Sequence, residues 1–220
     1  MLQILRNLGL AFVAVFAMSV VVASAAQATS GTLTTTGNVT ATLNQVGEHV
    51  ITLTDHPVSG GFATGKCKSA HFKGDGTVAT GSTSLTVTPT YSECIFAGLP
   101  ALIFPEGCSY NFQTGTPIGT EWHVNTNIVC PETKAIRIVA QTCEVSVGSR
   151  SNRVTSSVAN AAGGHLTLKT NIAGIHYTVL KDGIGCPLTG TGTFSQGDYI
   201  GTSTVRGLDA FSLPVALSIH

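Results

Sequence analysis

Seven histidines and eleven carboxylates are the groups in this chain able to hold a metal or move a proton. Their spacing is the first test of whether they do either. His49 and Asp55 fall on the same face of an extended segment, but six residues of strand cover roughly 20 Å, so they share a ligand only if the chain turns back. Glu121 and His123 are closer. Two positions on one strand face lie about 7 Å apart, close enough for a metal or a proton relay beside Trp122. The alternative is a rim pair flanking a packed or exposed Trp. Asp75 and Asp198 sit among glycines. A calcium site needs six or more oxygens, and no Asp-x-Asp-x-Asp run supplies them, so turn-forming aspartates are expected. No Cys-x2-Cys or His-x3-His spacing suggests zinc. No Gly-x-Ser-x-Gly elbow, His-Glu-x-x-His helix or Walker loop is present, and no cofactor is expected. A secreted hydrolase or metal-dependent enzyme would have to bring together two or more of His49, Asp55, Glu121, His123, His176 and Asp198.

The elements that would position such groups are strands. Leu85, Val87 and Pro89 share one face, as do Ile136 and Ile138, Cys143, Val145 and Val147, and Leu166 and Leu168. At the C-terminus Phe211, Leu213, Val215, Leu217 and Ile219 all alternate. This period of two is that of half-buried antiparallel strands. Turn signals separate the runs: Gly60-Gly61, Gly74-Asp75-Gly76, Asp182-Gly183 and Gly197-Asp198. The expected fold is all-β, an antiparallel sandwich or barrel. One short helix is expected near Ser156–Ala162, ended by Gly163-Gly164. Gly47-x-His49 through Leu53-x-Asp55 resembles Gly174-x-His176 through Leu180-x-Asp182. The echo suggests two pseudo-duplicated halves, near 29–115 and 116–220, within one domain spanning 29–220.

The N-terminus reads as an export signal. Arg6 is the only charge before Glu48, and an apolar run from Leu8 to Ala26 ends in small residues. This is the pattern of a signal peptide over residues 1–28, cleaved after Ala28, with Ala25 as the other candidate. No second apolar span follows, so no membrane attachment is expected after cleavage. Without Arg6 the chain carries ten basic residues (11 − 1) against eleven acidic ones. Such balance gives no electrostatic case for nucleic acid.

An exported chain with six cysteines, all beyond the signal, is expected to form disulfides. Six cysteines allow fifteen pairings. The best-argued pair is Cys108–Cys130, because the strand-like segments 108–112 and 124–130 would place them opposite each other in a hairpin. Cys67–Cys94 and Cys143–Cys186 then follow as nearest neighbours. Each loop closed would contribute roughly 3–4 kcal/mol in the chain-entropy model.

Tyr91, Phe96, Phe104, Tyr110, Phe112 and Trp122 gather in the middle third. They read as core, with an exposed carbohydrate-binding row as the rival reading. Asn38-Val39-Thr40 fits a glycosylation sequon.

Several stretches together resemble a group of uncharacterised, secreted, Thr/Gly-rich, disulfide-containing proteins of soil actinobacteria. They are Cys67-Lys-x-Ala-x-Phe-x-Gly74, Leu85-Thr-Val-Thr-Pro-Thr-Tyr-x-x-Cys94, Gly107-Cys-x-Tyr-x-Phe112, Ile128-Val-Cys-Pro131 and the Lys181-Asp-Gly to Gly190-Thr-Gly-Thr193 stretch. The resemblance implies export and disulfides and brings no activity with it. The leading expectation is therefore a secreted, non-catalytic structural, surface or binding protein, with cell-envelope or glycan material as a candidate partner. Beside the enzyme reading stands a third: a protease inhibitor presenting the segment Ile95–Glu106 between Cys94 and Cys108.

Overall fold

The computed structural model describes residues 30–54, 61–151 and 156–220. The expected signal peptide, its cleavage point Ala28 and Asp55 lie outside the described residues. No helix occurs among the described residues. The strands are β1 (Leu33–Thr35), β2 (Val39–Gln45), β3 (His49–Thr54), β4 (Phe62–Val78), β5 (Ser84–Phe96), β6 (Leu99–Phe104), β7 (Ser109–Ile118) and β8 (Glu121–Val129). They continue as β9 (Ile136–Ala140), β10 (Cys143–Val147), β11 (Arg150–Ser151), β12 (Ser156–Ala161), β13 (His165–Asp182), β14 (Gly192–Leu208), β15 (Pro214–Val215) and β16 (Leu217–Ile219).

Pairing closes them into an eight-position antiparallel barrel with extra strands. Four positions are single long strands: β4, β5, β13 and β14. Each of the other four is shared by two shorter strands laid end to end: β2 with β3, β6 with β7, β8 with β9, and β10 with β12. In this order each position pairs with the next along the chain, and β14 closes the ring on β2 and β3. The fold is an up-and-down barrel, which leaves no open sheet edge.

Closure explains the alternation. Along β4, Ala63, Cys67, Phe72 and Val78 point inward and are buried, while Thr64, Lys66, Lys68, His71 and Lys73 point outward. Apolar inside and polar outside is the inverse of a barrel whose outer face meets lipid. A strand of 17 residues would run about 55 Å if straight, so the long strands must coil. They do so through slips. Inward residues are three apart, not two, at Cys67 and Ala70, at Tyr91 and Cys94, and at Ile172 and Ile175. The shorter strands break instead, at 46–48, 105–108, 130–135 and 148–149. Slips and breaks together form a waist around the barrel.

Both ends are covered. At one, β1 pairs with β16 across the opening, burying Leu33, Leu217 and Ile219, and the side chain of Asn160 holds both backbone groups of Ile219. At the other, the 183–191 loop buries Leu188 completely and is tied back to β10 by a disulfide. The three disulfides are Cys67–Cys94, Cys108–Cys130 and Cys143–Cys186. Three such bonds indicate an oxidising, extracytoplasmic environment. Cys67 and Cys94 are direct cross-strand partners, and Cys108 and Cys130 extend the β7–β8 register by one step from Ser109↔Val129.

Two expectations are corrected. Ser156–Ala162 is not a helix but strand β12, paired on both sides by β8 and β13. Ser156 and Val158 face the core, and the Ser156 hydroxyl meets that of Thr126 at 2.9 Å. Gly163 and Gly164, at φ +87° and +71°, turn a hairpin instead of capping a helix. The C-terminal alternation does not form one strand either. Asp209 accepts hydrogen bonds from the backbone of Phe211 and Leu213, a turn that leaves both side chains exposed; Val215 packs partly against the core and Leu217 and Ile219 are buried in it.

Candidate functional site

Of the described residues singled out for catalysis, Glu121 and His123 share one depression, and His49, His176 and Asp198 stand apart from them. Asp198 and His176 are exposed on outward positions of β14 and β13. Glu121 and His123 line a shallow depression of about 180 Å³ with Ile118, Trp122 and Ser157. There the Lys169 ammonium donates to Glu121 at 2.6 Å. That bond, helped by Ser157, holds the carboxyl below its usual range, which suits a structural ion pair and not a proton donor. Asp75 accepts a hydrogen bond from Thr88. No group of three or more His, Cys, Asp or Glu fit to hold a metal occurs among the described residues. The segment Ile95–Phe104 is a hairpin paired to β4 and β9, turned at Ala97 and Gly98, so it is not a free loop. Of the aromatic group, Phe96, Tyr110 and Phe112 are buried, Tyr91 and Trp122 are partly buried, and Phe104 is exposed.

Among the described candidates, His49 alone points into the barrel. It lines a cavity of about 60 Å³ at the waist. The walls are chiefly aliphatic, with Ile51, Ile103, Ile138 and Ile175 among them. Ile51, Tyr91, Ile103 and Tyr199 face inward yet are only partly buried. An eight-stranded barrel has just enough interior either to be filled by side chains or to hold one small ligand. Here side chains do not fill the interior completely, and about 60 Å³ is left open at the waist.

Besides Lys66, four polar side chains interrupt the apolar wall, in two hydrogen-bonded pairs. The His49 Nε2 lies 2.7 Å from the Thr202 carbonyl, which can only accept, so Nε2 carries the proton. Burial holds the imidazole below its ordinary pKa, against the opposing pull of that carbonyl, and the ring stays neutral. Nδ1 is therefore an acceptor, and the Tyr199 hydroxyl donates to it at 2.6 Å. The second pair is Tyr91 and Tyr110, whose hydroxyls lie 2.9 Å apart. Burial pushes all three phenols upward, and for Tyr91 the neighbouring Tyr110 and Tyr199 add to the effect. The phenols are therefore neutral donors and acceptors at any physiological pH.

Neighbouring residues hold these groups in place. Phe72 packs edge-on against Tyr91 and Tyr110, at 6.1 and 5.8 Å between ring centres, and lies 6.0 Å from His49. Gly201 leaves room for the imidazole: a Cβ there would come within 2.8 Å of the His49 ring. Sequence reasoning missed the three tyrosines as a set because they belong to β5, β7 and β14. An available signal was the run of glycines inside β14, among them Gly201, since a glycine in a strand marks a close approach.

Comparison with family models, with curated proteins and with solved structures finds no match for this chain.

Proposed function

We propose that this chain is an exported, non-catalytic binding protein that holds a small apolar molecule at the barrel waist. The observation that carries the reading is the waist cavity itself: chiefly aliphatic walls with two neutral hydrogen-bonded pairs, inside a barrel whose ends are covered by β1 with β16 and by the 183–191 loop. Binding sites of this type combine an apolar lining with a few placed polar groups. The Lys-bearing outer face and the disulfides support export in soluble form, in keeping with the resemblance to secreted actinobacterial proteins. The N-terminal pattern supports removal of residues 1–28.

The exported protein should begin at Thr29 and carry three disulfides by intact mass. Crystals of it pressurised with xenon, which enters dry apolar cavities, should show the gas among Ile51, Ile103 and Ile138. Xenon found only on the outer surface would refute the reading.

A further inference from the structure

The hydrogen-bond inventory of the waist cavity specifies more than an apolar occupant. Tyr199 has committed its proton to His49 Nδ1, so towards the cavity its oxygen offers lone pairs only. Between Tyr91 and Tyr110 one proton is spent within the pair, and the other phenol keeps its proton. All four side chains line the same space. The cavity therefore presents one uncommitted O–H donor and separate acceptor oxygens, the complement of a hydroxyl group, which both accepts and donates.

Charge is disfavoured there. The one ionisable cation on the lining, Lys66, has its ammonium 2.8 Å from Glu48, with both side chains largely exposed. His49 is neutral, for the reasons given above. A carboxylate entering this site would lose its hydration and find no counter-charge, at a cost of several kcal/mol. Size is limited as well. At the space one water needs, 60 Å³ takes about four water-sized groups.

We propose that the cavity selects compact neutral molecules bearing a hydroxyl, that is, short-chain alcohols, and rejects carboxylate anions of the same size. The proposal rests on the waist cavity being a binding site.

Four probes separate these claims: xenon, 2-propanol, acetamide and acetate, the last three having the same branched four-atom skeleton. Each is titrated into the full mature, oxidised protein, and the isoleucine methyl resonances are followed by NMR. 2-Propanol should bind saturably, acetamide should bind, and acetate should leave the inner methyls unmoved. In a Tyr91→Phe plus Tyr110→Phe double variant, 2-propanol should bind about five- to tenfold more weakly, the worth of one or two ordinary hydrogen bonds, while xenon binding persists. Xenon binding in the variant reports that barrel and cavity are intact. If xenon binds the wild type and 2-propanol does not, or if acetate binds as well as acetamide, the alcohol proposal is overturned and the binding reading stands. An unchanged affinity in the double variant would overturn it too. If no probe binds and the cavity holds only water, the binding reading itself fails.

Discussion

His49 shows how one residue ties the site to stability. Its imidazole lies against the backbone of Gly201, donates to the Thr202 carbonyl and accepts from Tyr199. Burial depresses its pKa in the folded state, so the unfolded chain takes up the proton first as pH falls. The contribution is intact above about 6.5, the unfolded value, and is lost as pH drops towards the lower folded value. Urea unfolding should therefore show a loss of stability between pH 7 and pH 5.5. A His49→Gln variant, which keeps a donor for Thr202 but cannot titrate, should show a flatter profile over that range. An equally steep profile in the variant would assign the effect to other groups. In sequence, His49 was visible as a candidate, but its partners were not. Tyr91, Tyr110 and Tyr199 look like ordinary strand aromatics. Alternation puts each on the inner face of its own strand, but that the three strands bring them together at the waist is not visible in any one segment.

At the scale of elements, patterns with a local cause were legible and those with a tertiary cause were not. The cysteine pairs followed from strand register and proximity in sequence. Ser156–Ala162 carried small, weakly helical residues, and pairing to two neighbouring strands overrode that preference. Glu144 points outward from β10 yet is nearly buried, clamped by Arg137 and Lys181, whose hydrogen bonds hold its carboxyl below the usual range. No spacing in the sequence announced that cluster, because its members come from β9, β10 and β13 and meet only across strands. The 183–191 loop was marked by the Asp182-Gly183 turn signal, but its role as a cover was not. Leu188 is fully buried there, at the end of the barrel opposite β1 and β16. Leu188→Ala should cost about 2–5 kcal/mol by urea unfolding, the range for emptying a buried leucine site. A cost below about 0.5 kcal/mol, typical of exposed positions, would show that the leucine is not a structural stopper.

For the molecule as a whole, composition and alternation were enough to predict an all-β antiparallel fold, and pairing resolves sandwich or barrel in favour of the barrel. The echo between Gly47–Asp55 and Gly174–Asp182 has a structural counterpart at its start. Gly47 and Gly174 both take positive φ, at +74° and +69°, where β2 gives way to β3 and where β13 slips. The histidines that follow then diverge, His49 inward and His176 outward. The waist, created by breaks and slips in strands from the whole length of the chain, is a property of closure and is absent from any single segment. The most direct test of the account is a xenon titration of the oxidised mature protein, read on isoleucine methyls that report both sides of the wall in one spectrum. Saturable shifts are predicted for Ile51, Ile103, Ile138 and Ile175, with Ile118, Ile184 and Ile200 on the outside unmoved. Shifts that never saturate, or that fall equally on inner and outer methyls, would contradict a binding cavity at the waist.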